Sequence, residues 1–269
     1  MKKKSIYISN LSWRHEDFTS IIKLIKTHKI SGVDIAPIKI FKNWKNVEKK
    51  VKKFNKILRK NKIKVNAIQG VFFKTNLNLF DNVNKNFEKI ENHLKLVLRV
   101  AKVFGCNKII IGSTEFRNKK KISKVYADKI FINFFSKFKK ILKKNKIYFC
   151  METIPKQYNE KYIFKLEHLL YLIKKINSKY IKINFDTSLF HYNNSNFLNL
   201  RQNLDQIKTF QFTEKNFDYF LNPSKNNLKI AKMIKNSNKV NEISLEIIKK
   251  KTNIKYLSKS IINLKNLLN

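Results

Sequence analysis

Residues 107–155 read NKIIIGSTEFRNKKKISKVYADKIFINFFSKFKKILKKNKIYFCMETIP. The stretch opens on a short run of β-branched residues, NKIIIG (107–112), and closes on a second apolar run, IYFCME (147–152). Between them YADKIFINFFSKFKKILKKN (126–145) carries apolar residues at three- and four-residue spacing. Short apolar runs bounded by polar loops read as buried strands, and the 3.6-residue period reads as an amphipathic helix. Strand, helix and strand in that order make a parallel pair joined by a right-handed crossover.

The same unit recurs in both directions along the chain. Further strand candidates are SIYIS (5–9), VDIAP (33–37), KVNAIQ (64–69), IKINFD (181–186), IKTFQF (207–212) and NEISLE (241–246), which brings the total to eight. Helical patterns lie between them at 17–28, 46–61 and 87–105, and another, IKYLSKSIINLKNLL, follows the last strand at 254–268. Eight such units in about 250 residues are the size of a (β/α)8 TIM barrel of the α/β class. Four glycines and three prolines, none clustered, mark no linker, so one domain is expected over residues 1–269. The alternative is an open doubly wound sheet. It normally carries a phosphate loop, and neither GxGxxG nor GxxxxGK[ST] occurs.

A net charge of +41 is the outlying feature of the composition. Its carriers are 54 lysines against five arginines, and asparagine, isoleucine and phenylalanine are also abundant, the mark of an AT-rich coding sequence. Readers of nucleic acid favour the bidentate guanidinium, so this charge does not imply a specific nucleic-acid partner. With 43% hydrophobic and 13% aromatic residues the chain is too apolar for a disordered basic tail. Cys106 and Cys150 stand alone, with neither disulfide nor zinc-knuckle spacing, which fits a reducing compartment. The apolar part of the N-terminus is broken by Asn10 and runs into Arg14, His15, Glu16 and Asp17 without a cleavage pattern. No run approaches about 18 apolar residues, and a soluble cytoplasmic protein without membrane contact is expected.

In a (β/α)8 barrel the active site lies at the C-terminal ends of the strands. Strand five ends in Met151-Glu152-Thr153, strand six in Phe185-Asp186-Thr187, strand seven in Phe210-Gln211 and strand eight in Leu245-Glu246-Ile247. Three carboxylates thus meet at one rim of a chain with only 18 acidic residues. A carboxylate at a strand end is often a helix N-cap or the partner of a lysine. Three on one rim favour a site. Grouped like charges raise one another's pKa unless a cation neutralises them, and a divalent metal is the simplest remedy. Oxygen donors suit Mg²⁺ or Mn²⁺; a nitrogen ligand opens the site to Co²⁺ or Zn²⁺.

Several segments are shared with a known family. SNLSW (9–13), DIAPIKIF (34–41), IQGVFF (68–73) followed by LNLF (77–80), IIIGSTEFRN (109–118), METIP (151–155) with Tyr158 beyond it, INFDTS (183–188) and ISLEI (243–247) together resemble the xylose isomerase-like TIM-barrel superfamily. They are most similar to its sugar phosphate isomerase/epimerase members. The resemblance is collinear from about Ile6 to about Ile247. It implies a metal held by Glu152, Asp186, Gln211 and Glu246, and proton transfer beside a sugar carbonyl, through an enediolate, by Glu152 and Glu246. Strand seven departs from the family, whose members carry histidine where this chain has Gln211 within TFQFTEK (209–215). A glutamine offers a carbonyl oxygen and no imidazole, which shifts the expected ion towards Mn²⁺, Mg²⁺ or Co²⁺ and away from Zn²⁺. His191 is a second source of nitrogen, against its plainer reading as a loop residue.

Around this centre Asn10, Gln69 and Ser113 are uncharged hydrogen-bonding residues at or beyond strand ends, a pattern suited to sugar hydroxyls. Arg117, one of five arginines, is a candidate for bidentate contact with a phosphate or carboxylate. Trp13 is a candidate to stack on a sugar face. The expected partner is a small-molecule sugar or sugar phosphate, drawn in by the basic shell. Two rivals stand beside this reading. One is a catalytically lapsed barrel that binds a sugar or a protein; the other is an endonuclease IV-like apurinic endonuclease. The second sits poorly with five histidines, none of them at a strand end.

Overall fold

The eight apolar runs pair in parallel and close on themselves in a computed structural model that describes residues 4–81, 83–192, 196–249 and 251–268. The strands are β1 (Ser5–Ser9), β2 (Gly32–Ile35), β3 (Lys64–Ile68), β4 (Lys108–Ile111), β5 (Tyr148–Glu152), β6 (Ile181–Asp186), β7 (Ile207–Phe212) and β8 (Glu242–Leu245). Each pairs with its sequence neighbour, and β1 pairs with β8 to complete the ring. The expected (β/α)8 barrel is the observed fold. The main outer helices are α1 (Phe18–Thr27), and, after a short α2 (Pro37–Phe41) in the β2 loop, α3 (Val47–Lys60) and α4 (Val83–Phe104). They continue with α5 (Lys124–Ser136), α6 (Lys139–Asn145) and α7 (Leu166–Ile176). Two short helices, α8 (Leu189–Tyr192) and α9 (Phe197–Gln202), precede α10 (Lys225–Lys235) and α11 (Ile254–Leu268). Among the described residues no helix is long and apolar enough to cross a membrane.

The period-2 alternation of each strand sorts its side chains between two environments. Outward-facing residues such as Ile8, Ile111, Phe149 and Met151 are buried in one core shared with the helices. The abundance of phenylalanine is explained there: Phe135 and Phe138 pack on Phe149 with ring centroids 6.3 and 5.3 Å apart, and Phe131 and Phe134 extend the cluster. Each such ring contributes roughly 1.5–3 kcal/mol on full burial. The pattern at 126–145 predicts one helix, and the structure makes two. Lys137 and Phe138 take three-residue hydrogen bonds to Phe134 and Phe135, and this tighter turn re-aims the aromatic face onto β5.

The lumen is polar, where barrels of this kind are usually filled with branched apolar side chains. Lys108 on β4 donates from Nζ to Glu242 Oε2 (2.6 Å) on β8, across the ring, and to Asn66 Oδ1 (2.5 Å). Asn66 in turn donates to Asp34 Oδ1 at 2.7 Å. Burial pushes the Asp34 carboxyl upward. Close approach of β2 and β3 depends on Gly32, since a Cβ there would lie 2.0 Å from the Lys64 carbonyl oxygen.

Candidate functional site

Above the polar lumen, at the C-terminal rim, a cavity of about 650 Å³ opens. Glu152, Asp186, Gln211 and Glu246 line it, as do Gln69 and Ser113. The strand register explains the grouping, because Asp186 pairs with Gln211, and Gln211 with Ser244 two residues before Glu246. Asp186 and Glu246 are buried; Glu152 keeps partial contact with the opening.

The other expected residues have different tasks. Asn10 is engaged with one backbone unit, accepting from Ala36 N at 2.7 Å and donating to Ala36 O at 3.2 Å, which ties the end of β1 to that of β2. Trp13 is 5% exposed and belongs to the apolar core. The bidentate task assigned to Arg117 is internal: Nε and Nη2 both lie 2.7 Å from Glu160 Oε2, and Nη1 donates to the Glu152 carbonyl oxygen at 2.6 Å. None of the three lines the cavity. His191 does not line the cavity either, and its Nε2 donates to the Thr213 carbonyl at 2.8 Å.

A side-chain network holds the site together. Gln69 Nε2 donates to Ser9 Oγ (2.6 Å) and Glu246 Oε1 (2.9 Å). Gln211 Nε2 donates to Gln69 Oε1 (2.9 Å) and, more weakly, to Glu246 Oε1 (3.5 Å), while its oxygen accepts from Asn184 Nδ2 at 2.6 Å. Asp186 accepts from Ser188 N (2.6 Å) and Thr213 Oγ1 (2.9 Å). The Glu152 carboxyl lies over Gly112, just past the end of β4, where a Cβ would come 1.7 Å from Oε2, so this placement of the carboxyl relies on the missing Cβ. Residues that strand-end reading overlooked complete the mouth: Lys39 is the one cation among the described lining residues, and Phe73, Tyr158, Phe217 and Ile248 add apolar surface.

Three of the four acids that line the cavity, Glu152, Asp186 and Glu246, are raised above the ordinary carboxyl range. Withdrawal from water raises Glu152 well above its ordinary range, Asp186 and Glu246 add to the rise, and Arg117 opposes it. Burial pushes Glu246 up to about 8, with Asp186 adding to the effect and the Gln69 hydrogen bond opposing it. Asp186 is also raised by burial, against the hydrogen bonds of Ser188 and Thr213. For Glu246 the ordinary value is 4.5, so between pH 4.5 and about 8 the unfolded chain releases a proton that the fold retains. Stability from this group is complete below pH 4.5 and is lost as pH rises through 8. We expect the melting temperature of Glu246→Gln to match the wild type below pH 4.5 and to exceed it by a margin that grows up to about pH 8 and then levels off. Parallel curves for the two proteins would remove Glu246 as a source of pH dependence.

A divalent ion requires several oxygen or nitrogen donors that converge on one point. Among the described residues no three carboxylate, imidazole or thiolate side chains stand close enough to share one ion. The Gln211 oxygen is turned to Asn184, and the atom it presents to Glu246 is an N–H. As placed, these residues do not fit a metal.

A closed ring of eight parallel strands with an acid-lined cavity at its C-terminal rim defines a (β/α)8 barrel whose cavity lies where such barrels carry their active sites. The chain belongs to the xylose isomerase-like TIM barrel family, whose model matches residues 22–264. No curated protein sequence matches it. Among solved structures it is similar to 3-keto-D-glucoside 4-epimerase from E. coli, at 14% identity over 98% of this chain and 100% of that one, with a TM-score of 0.75. D-psicose 3-epimerase from Clostridium cellulolyticum H10, solved with D-tagatose, gives 12%, 98%, 99% and 0.75. The IolI protein with a bound zinc atom gives 14% identity over 98% of this chain and a TM-score of 0.71. At these identities the likeness is one of fold.

Proposed function

We propose that this chain is an isomerase or epimerase of a sugar or sugar phosphate, moving a proton at the carbon beside a carbonyl. The observation that carries the proposal is the placement of Glu152 and Glu246, from strands three apart in the ring, in the wall of one cavity. One of the two glutamates, in its ionised form, takes the proton from the carbon beside the carbonyl to give the enediolate, and the other, kept protonated by burial, returns a proton to carbon. Use of one face of the intermediate gives isomerisation; use of both gives epimerisation. Gln69 fixes Glu246, and Ser113 offers a hydroxyl to the ligand. Lys39 at the mouth and the surrounding positive field favour an anionic substrate. The metal-assisted form of the scheme is not adopted, because the donor set does not support it.

The test is incubation in D₂O with aldoses, ketoses and their phosphates, followed by NMR. Deuterium is expected at the carbon beside the carbonyl of at least one sugar, and no exchange across the panel would overturn the enzyme reading. The lapsed barrel is supported by Gln211 at the strand-seven position, and its signature is a sugar that binds without exchange. The endonuclease reading has little support, as no histidine is among the described lining residues.

A further inference from the structure

The polar groups around Glu246 and Asp186 are arranged against a cation. Gln69 and Gln211 both direct amide N–H groups at Glu246 Oε1, so the positive ends of two dipoles face the place where an ion beside Glu246 would sit. Asp186 receives an N–H from Ser188 and a hydroxyl from Thr213. The carbonyl oxygen through which Gln211 could ligate is held by Asn184, whose own Oδ1 is buried without a hydrogen-bond partner. Glu152 places Oε2 over Gly112, just past the end of β4. Asp186 and the Oε1 of Glu246 are therefore already held by neutral donors.

We infer that this barrel works without a divalent metal, and that the amide belt Gln69–Gln211–Asn184 replaces the ion as the element that holds Glu246. The belt spans the lumen between β3 and β7, opposite one another in the ring, and is anchored at its ends by Ser9 and Asn184. Amide N–H groups fix a carboxyl group and are indifferent to added ions, whereas a ligand cluster stabilises the fold only when loaded. Histidine at position 211 would remove the belt's central link and supply an imidazole nitrogen, while the three acids remain.

The test is thermal unfolding of the full chain after EDTA dialysis, with and without Mn²⁺, Mg²⁺, Co²⁺ or Zn²⁺, together with elemental analysis of the purified protein. A specific site at a hundredfold excess over its dissociation constant raises the melting temperature by roughly 5–10 °C. The wild type is expected to show no shift and substoichiometric metal. Gln211→His is expected to gain a Mn²⁺- or Co²⁺-dependent shift. Asn184→Ala, which leaves the acids in place and frees the Gln211 oxygen, is expected to gain a smaller one with Mg²⁺ or Mn²⁺ and covers the case of a Gln211→His variant that does not fold. A wild type stabilised by any of these ions overturns the inference, as does a folded pair of variants that stays indifferent to them. These readouts do not involve turnover, so they stand or fall separately from the isomerase reading.

Discussion

Glutamine in place of Glu152 or Glu246 is expected to lower kcat/KM for carbonyl-adjacent proton exchange by about 10²–10⁴-fold, the usual contribution of a positioned general acid or base. In free energy that is roughly 3–5 kcal/mol of transition-state stabilisation. The substitution is close to isosteric, so the loss is one of proton transfer and not of packing. Glu246 accepts two amide N–H groups through Oε1, and a glutamine oxygen at that point accepts the same pair. Among the described residues the Glu152 side chain has no hydrogen-bond partner, and Arg117 holds its backbone carbonyl, which the substitution leaves in place. Both variants should therefore fold, and the Glu246 variant should melt at or above the wild-type temperature at pH 7 while failing to exchange deuterium. Retention of exchange within tenfold of wild type by either variant would show that the proton is handled elsewhere.

The parts of this molecule that were legible in the sequence follow from periodicity. Eight outward faces of isoleucine, valine and phenylalanine, each followed by a 3.6-residue pattern, leave little choice but a closed parallel barrel, and the rim then follows from strand direction. Glu152, Asp186, Gln211 and Glu246 were reachable on that basis, being strand-end residues in register. Asn10, Trp13 and Arg117 share the address but not the direction, because beyond the last ladder pair a loop residue turns where its own hydrogen bonds take it. The link between Gln69 and Gln211 joins residues 142 positions apart and exists only once the ring closes. Lys108 was hidden for a different reason. Among 54 lysines one buried in the lumen has no distinguishing sequence context, although the polar residues Asp34, Asn66 and Glu242 at inward strand positions are the signal that a cation belongs inside.

Arg117→Met is expected to cost about 3–5 kcal/mol of stability, the usual result of removing one partner from a buried pair. For a chain of this size that is a fall in melting temperature on the order of 10 °C. Arg117 is 1% exposed and Glu160 2%. Two guanidinium nitrogens close on Glu160 Oε2, leaving Oε1 to accept the backbone N–H groups of Tyr162 (2.8 Å) and Ile163 (3.1 Å). Methionine fills the space but strands the Glu160 charge, and that stranded charge stands among those that raise Glu152. The double variant Arg117→Met/Glu160→Gln keeps an acceptor for Tyr162 and Ile163 and removes the charge, so it should recover most of the lost stability. Activity should not return in step. The third guanidinium nitrogen holds the Glu152 carbonyl at the end of β5, and neither variant replaces that contact. Arg117→Lys supplies a point charge that can meet Glu160 or the carbonyl but lacks the planar fork that reaches both. It is expected to lose less stability than methionine and to lower kcat more than it raises KM, as befits a residue that positions Glu152 without touching substrate. A single methionine variant within 1 kcal/mol of wild type, in urea unfolding interpreted with this buried-pair scale, would mean that the pair is structurally idle. A double variant that regains both stability and kcat would remove the positioning role and leave Arg117 as a fold residue alone.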